Sequence, residues 1–134
     1  AVLRELGSLR CFVVHGADGL DEITLTDQTH VAELAAGSIR EYDIAPDDFG
    51  LGRCALGELT VDSPQGSAEI IRGVLAGSRG PHRDIVLLNA AAALQAAGSA
   101  RDWKAGLEAA ARAVDSGRAA QVLDLLVRLS NRPD

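Results

Sequence analysis

Short apolar runs in the first third of the chain predict strands separated by polar loops. Residues 11–14 form a continuous apolar run that is typical of a strand buried on both faces. Residues 29–34 and 39–44 are rich in alternating or β-favouring side chains, and the small residues 36–38 between them predict a hairpin. An extended pattern also resumes at residues 23–25. This part of the chain is therefore expected to form a small sheet.

Apolar residues at helical spacing predict four helices in the second half of the chain. Pro64 and Pro81 stand at the first turns of the first two helices, and Ser99 with Asp102 is the expected capping pair of the third. Glycines follow the first three helices: Gly77, Gly98 and Gly117. The residues expected to face the core are Ile71, Val74, Leu75, residues 85–88, Trp103, Leu107, Ala110, Val114, Val122, Leu126 and Leu129.

Two segments outside these elements carry turn signals. Residues 1–6 are predicted to be the end of a helix that stops at Gly7, so the chain is expected to begin inside an element of a longer protein. Residues 46–50 predict a turn or a single helical turn, with Pro46 at its start and Gly50 at its end.

The composition limits the chain to one domain, because 134 residues with 47% hydrophobic content suffice for one core but not for two. Aromatic residues make up only 3% of the chain and methionine is absent, which favours close packing of alanine-rich helices. A net charge of -6 argues against a nucleic-acid-binding surface. Cys11 and Cys54 lack the spacing of a zinc site or a disulfide framework, which favours a reduced, cytoplasmic compartment. No apolar stretch approaches the roughly 18 residues of a membrane span, so no membrane association is expected.

Asp21 and Glu22 are the strongest candidates for a binding site. They follow the C-terminal end of the predicted strand at residues 11–14, and ligands bind at that edge in open α/β sheets. Adjacent carboxylates are also hard oxygen ligands that suit Mg²⁺. The alternative is a solvated acidic loop without a ligand, and the spacing alone does not separate the two.

The remaining motifs give no catalytic residue. Residues 18–22 lack the alternating carboxylates of a calcium loop, and Gly50, Gly52 and Gly57 do not form a nucleotide fingerprint. The three histidines are too far apart in sequence to predict a zinc site. His15 follows the first strand directly, where it could order the acidic loop through a hydrogen bond or be a partly buried histidine with a backbone partner.

Residues 13–22, 46–51 and 83–91 resemble successive segments of anthranilate phosphoribosyltransferases. Residues 115–117 and Ala119 continue the resemblance, which covers almost the whole chain in the same order. It implies an α/β fold of the nucleoside phosphorylase/phosphoribosyltransferase type, with a central mixed sheet flanked by helices and a helix-rich C-terminal half. Residues 1–134 would be the C-terminal portion of the α/β catalytic domain.

The resemblance also implies a reaction and a metal. In the family, the anthranilate amine attacks C1 of phosphoribosyl pyrophosphate, which gives N-(5-phosphoribosyl)anthranilate and pyrophosphate in tryptophan biosynthesis. The Asp-Glu pair of the family motif, here Asp21 and Glu22, binds Mg²⁺ that meets the pyrophosphate. The family's glycine-rich phosphate loop and its N-terminal helical domain, through which it forms homodimers, do not occur in this sequence. We therefore expect no activity from this chain alone.

Two other functions remain open from the sequence. A related pyrimidine nucleoside phosphorylase shares the architecture but is not expected to keep the loop at residues 15–22. A stand-alone binding module could use the same α/β core without catalysis. Residues 63–68 also depart from the Glu-Asn-Ala pattern of the family at the start of that helix, which affects the local cap rather than the metal site.

Overall fold

The computed structural model describes residues 1–132, which form an antiparallel sheet followed by a set of helices. The elements are α1 (Val2–Glu5), β1 (Arg10–Gly16), β2 (Thr29–Ala35), β3 (Ser38–Ile44), α2 (Pro64–Leu75), α3 (Pro81–Ala96), α4 (Trp103–Asp115) and α5 (Arg118–Ser130). Two 3₁₀ turns, Pro46–Phe49 and Leu56–Glu58, lie between β3 and α2. Within this part of the chain, none of the helices has the length and apolar character needed to cross a bilayer.

The sheet has the strand order β1-β2-β3, and both strand pairs are antiparallel. The predicted hairpin is confirmed: Ala36 and Gly37 connect β2 to β3 with φ values of 48° and 77°. Positive φ at both central positions matches the right-handed twist of the flanking strands. The expectation of a mixed sheet is wrong for residues 1–132, because both strand pairs in this part of the chain are antiparallel. For β2 and β3 the reason is the turn itself, since a two-residue turn can join only antiparallel strands.

β1 is not buried on both faces, contrary to the prediction from its apolar sequence. Val13 is 55% exposed, whereas Phe12 and Val14 on the opposite face pack against the core. The reason is that helix α3 covers one face of the sheet. On the other face the described residues cover only the end near α1, where Leu34 is 4% exposed, and they leave Val13 open to solvent. The predicted α/β fold class is otherwise confirmed.

The core lies between the sheet and α3. Leu88 and Val31 are fully buried in it, together with Ile23 and Leu25 from the loop that precedes β2. Residues 23–25 are thus buried but do not form the extended strand that their sequence suggests. The core role predicted for Trp103 is confirmed, since its ring lies 5.6 Å from that of Phe12 and 5.3 Å from that of Phe49.

The helix boundaries follow the predicted proline and glycine signals, with one correction at α4. Its N-cap is Asp102, whose Oδ1 accepts a hydrogen bond of 2.8 Å from the Ala105 amide. Ser99 does not take part in this cap, because its own amide donates to the Leu94 carbonyl at the end of α3. Gly98, with φ of 71°, reverses the chain there.

Helices α3 and α4 approach each other closely at one glycine. A Cβ at Gly106 would lie 2.9 Å from both Cβ and the carbonyl oxygen of Ala91, and 3.0 Å from its Cα. A residue with any side chain therefore cannot occupy position 106 without a shift of the helices. The alanine-rich packing expected from the composition is found at this contact.

Several predicted core positions are exposed in the described residues. Ile71 on α2 is 47% exposed, and Val122 on α5 is 66% exposed. Leu126 and Leu129 share this exposure, and Val86 on α3 is 45% exposed. The predictions of burial at these five positions are wrong for residues 1–132. On α5 the reason is that the helix packs against the other helices at its N-terminal half, and no described element covers its apolar stripe.

Candidate metal-binding loop

The loop between β1 and β2 places Asp21 and Glu22 at the C-terminal end of β1. Both residues are exposed, and neither side chain has a hydrogen-bond or ion-pair partner within residues 1–132. Their neighbours Leu20 and Ile23 are each held by contacts with other parts of the loop or the core. The two carboxylates are thus presented to solvent from a backbone with defined contacts.

Asp18 holds the first half of this loop. Its carboxylate accepts hydrogen bonds from the Leu20 amide at 3.1 Å, from Thr24 Oγ1 at 2.6 Å and from Thr26 Oγ1. Burial would raise the pKa of Asp18, but the hydrogen bonds from Thr24, Thr26 and Leu20 lower it below its usual range. Asp18 therefore acts as an ionised acceptor that closes the loop.

Gly16 is the residue that allows this closure. Its amide donates to the Leu20 carbonyl at 2.9 Å, and a Cβ at this position would collide with Asp18 Oδ1 and approach Thr24 Cγ2 to 3.2 Å. Gly16 has no unusual φ, so the requirement for glycine is one of space and not of backbone conformation.

Asn89 of α3 holds the second half of the loop. Its Oδ1 accepts from the Ile23 amide at 3.0 Å, and its Nδ2 donates to the Ile23 carbonyl at 2.9 Å. Nδ2 also donates to the Ile85 carbonyl of its own helix at 3.0 Å. One side chain thus connects the residue after Glu22 to the helix that covers the sheet.

The charges around Glu22 favour a bound cation. Partial desolvation of its carboxylate raises the pKa of Glu22 even though the residue as a whole is exposed, and the negative charges of Asp21 and Asp18 raise it further. Three carboxylates in five residues repel one another, and a nearby positive ion would relieve that repulsion.

The side chains present fit Mg²⁺ but not a metal held by protein alone. Among residues 1–132, no group of three or more His, Cys, Asp and Glu residues is placed to hold a metal ion. Two hard oxygen donors are, however, what Mg²⁺ commonly takes from a protein, with substrate phosphates and water as its other ligands. Asp21 and Glu22 match that partial donor set.

His15 does not order the loop. Its side chain is exposed, and within the described part of the chain it makes no hydrogen bond, so both expectations for it are wrong. The physical reason is the alternation of side chains along β1, which directs His15 away from the helix-covered face and beside His30 of β2.

Asp18, Thr24 and Asn89 were not identified as functional from the sequence. The Asp18-Gly19 step was a usable signal, because Asp side chains often bond to the backbone two residues later in a turn. For Asn89 the signal was an amide in the middle of an otherwise apolar helix, since such groups need a hydrogen-bond partner when buried. Neither signal identifies the residue with which the side chain forms its hydrogen bonds.

Comparisons with known proteins place the chain in one family. Residues 1–120 match the family model described as "Glycosyl transferase family, a/b domain". The anthranilate phosphoribosyltransferase of Methylocella silvestris is 54% identical over 130 residues, and that of Geobacter sulfurreducens is 50% identical. Each match covers 97% of this chain, which spans 37% of the length of either relative.

Solved structures agree with this assignment. The anthranilate phosphoribosyltransferase from Thermus thermophilus superposes with a TM-score of 0.83 at 35% identity, over 94% of this chain and 37% of that one. The enzyme from Saccharomyces cerevisiae in complex with PRPP and Mg gives a TM-score of 0.75 at 28% identity, over 84% of this chain and 33% of that one.

Proposed function

This chain belongs to the glycosyl transferase family through its a/b domain, and from that premise we propose that it is the C-terminal part of an anthranilate phosphoribosyltransferase. The enzyme transfers the phosphoribosyl group of phosphoribosyl pyrophosphate to anthranilate, with release of pyrophosphate. The observation that carries the proposal is the pair of exposed, unpartnered carboxylates at the end of β1 among residues 1–132, in a chain that is 54% identical to such an enzyme.

Asp21 and Glu22 are the residues that would hold Mg²⁺. The bound ion would neutralise the charge that builds on the departing pyrophosphate. The two carboxylates supply the hard oxygen atoms, and their exposure leaves room for phosphate oxygens to complete the set. Asp18 and Asn89 fix the backbone on either side of the pair, so the carboxylates need little reordering when the ligand binds.

The chain contributes this metal-binding loop and part of the domain, but not a complete active site. The family's glycine-rich phosphate loop and helical domain do not occur in residues 1–134, and the chain spans 37% of its relatives' length. Substrate binding and turnover therefore belong to the complete enzyme, and this chain alone is inactive. The complete enzyme acts in the cytoplasm as a homodimer formed through the helical domain.

Charge-removing substitutions in the complete enzyme test this proposal. Asp21→Asn and Glu22→Gln should each lower Mg²⁺-dependent turnover by about tenfold or more, since even the loss of an outer-shell partner of a metal ligand commonly has an effect of that size. Their folding should be unchanged, because both side chains are exposed. The measurement is the initial rate as a function of Mg²⁺ concentration, with circular dichroism and thermal unfolding as checks of the fold.

Asp27→Asn is the matched control, since Asp27 is an exposed carboxylate of the same loop whose ion pair with Arg53 is loose, at 3.6 Å. Its Oδ1 also accepts from the Gln28 amide at 2.7 Å, and the asparagine oxygen can keep that hydrogen bond. It should retain the parent's rate and Mg²⁺ dependence. Parent-like kinetics in both Asp21→Asn and Glu22→Gln would show that the pair does not serve the metal.

A further inference from the structure

We propose that Asn89 is a positioning residue that holds Asp21 and Glu22 in place through the backbone of Ile23. This inference rests on the proposed function, since it concerns the same metal-binding pair. Asn89 lies 66 residues further along the chain than Ile23, and its amide meets both the N–H and the carbonyl of that residue. It touches neither carboxylate, so any effect on the metal site passes through the backbone.

The orientation of the Asn89 amide is determined by its partners. Nδ2 donates to two carbonyls, those of Ile23 and Ile85, at 2.9 Å and 3.0 Å. Oδ1 accepts from the Ile23 amide at 3.0 Å. A flipped amide would place an oxygen against two carbonyls and a nitrogen against an N–H, which removes all three hydrogen bonds. Both ends of the side chain are therefore used, and Ile23 is fixed relative to α3.

The contacts of Asp18 and Asn89 leave a short free segment between them. Asp18 binds the amide of Leu20, and Asn89 binds both backbone groups of Ile23. Only Asp21 and Glu22 lie between these two fixed points. The Ile23 side chain is 1% exposed and packs in the core beside Leu88, so the second fixed point is part of the rigid body of the domain.

This arrangement explains why a loop residue pair can be both exposed and ordered. Two residues between fixed ends have few conformations to choose from, and so lose little entropy when a cation binds. Without Asn89, the fixed point at Ile23 would depend on side-chain packing alone, and its backbone groups would have to find other partners. The loop would then sample more conformations before the metal binds.

The test compares Asn89→Ala with Gln95→Ala in the complete enzyme. Gln95 is a buried amide residue on the same helix, but it bonds to Arg10 at the opposite end of the sheet. Both variants remove an amide from α3, and both should lower thermal stability. Only Asn89→Ala should raise the Mg²⁺ concentration for half-maximal rate, by roughly tenfold or more, as loss of outer-shell partners does at metal sites. The rate at saturating Mg²⁺ should stay near that of the parent.

Hydrogen exchange provides a readout that does not depend on activity. The Ile23 amide should be protected in the parent protein without metal. It should exchange about tenfold faster in Asn89→Ala but not in Gln95→Ala, because only Asn89→Ala removes the Oδ1 atom that accepts from this amide; a tenfold change corresponds to about 1.4 kcal/mol. The parent measurement stands even if Asn89→Ala does not fold. An Ile23 amide that exchanges as fast as those of Asp21 and Glu22 in the parent would overturn the proposal.

The outcomes separate this inference from the proposed function. If Asp21→Asn and Glu22→Gln alter the Mg²⁺ dependence but Asn89→Ala behaves like Gln95→Ala, then the carboxylates bind the metal and Asn89 is only structural. If Asp21→Asn and Glu22→Gln leave the Mg²⁺ dependence unchanged, the proposed role of the loop itself fails, and faster exchange at Ile23 would then report only on folding.

Discussion

Replacing Gly106 by alanine is predicted to destabilise the protein, although alanine is the better helix former. Within a helix, glycine is less favourable than alanine by about 1 kcal/mol, so propensity alone predicts a gain. The structure opposes this gain, because the new Cβ would lie 2.9 to 3.0 Å from three atoms of Ala91. Two of those atoms belong to the α3 backbone and cannot rotate away.

The size of the loss follows from these two opposing effects. Inserting a carbon atom into a closely packed helix contact costs typically about 1–3 kcal/mol, and the upper part of that range applies when backbone atoms must move. After subtraction of the propensity gain of about 1 kcal/mol, we expect a net loss of about 1–2 kcal/mol in the free energy of unfolding. The movement would separate α4 from α3 at the contact that supports Leu87 and Ala110.

Gly73→Ala provides the matched control. Gly73 is also helical, but a Cβ there would meet only the Ser78 hydroxyl oxygen at 3.4 Å and Ser78 Cβ at 4.0 Å, which are ordinary contact distances. This variant should gain about 0.5–1 kcal/mol. Urea unfolding followed by circular dichroism measures both values. A Gly106→Ala variant at least as stable as the parent, alongside a stabilised Gly73→Ala, would refute the reasoning.

Two further predictions concern charged groups. Asp115→Ala should destabilise the protein by about 2–3 kcal/mol in urea unfolding, because it leaves the 1% exposed guanidinium of Arg83 without its 2.8 Å partner. Asp115 is itself half-exposed, so the loss should be smaller than for a fully buried ion pair. Glu108→Ala, which breaks an exposed pair on α4, should change stability by less than about 0.5 kcal/mol, and equal losses in the two variants would contradict this. Asp18 should stabilise the fold above its ordinary pKa of 3.8, and this contribution should disappear as the pH falls through the lower pKa of the folded state. The free energy of unfolding, measured between about pH 5 and pH 2, should therefore depend less on pH in Asp18→Asn than in the parent. The same pH dependence in both proteins would contradict the hydrogen bond from Thr24 to Asp18.

The local elements were largely predictable from the sequence because their signals are local. The hairpin turn at Ala36 and Gly37, the first-turn proline Pro64 and the final glycine Gly98 lie where the sequence places them. The prediction of the α4 cap is wrong because Ser99 and Asp102 are both good N-cap residues, and only the fold shows that Ser99 still bonds to α3.

The long-range features were not predictable in the same way. An apolar run such as that of β1 fits either a doubly buried parallel strand or an antiparallel strand with one covered face, and periodicity does not separate them. The contact of Asn89 with Ile23 joins residues 66 positions apart, so no local pattern contains it. The Asp21–Glu22 pair could be named from the sequence, but the contacts that hold it could not.

The contacts of the loop also determine which changes of sequence it tolerates. Substitutions at its exposed positions differ in this respect from insertions and deletions. Leu20 and Ile23 are tied to separate parts of the fold, so the number of residues between them is determined by a distance in space, whereas the identity of those residues is not. A library that varies positions 21 and 22 should contain many folded members. Inserting or deleting a single residue there should instead break the hydrogen bond of Leu20 with Asp18 or those of Ile23 with Asn89. Folded members should then be rare.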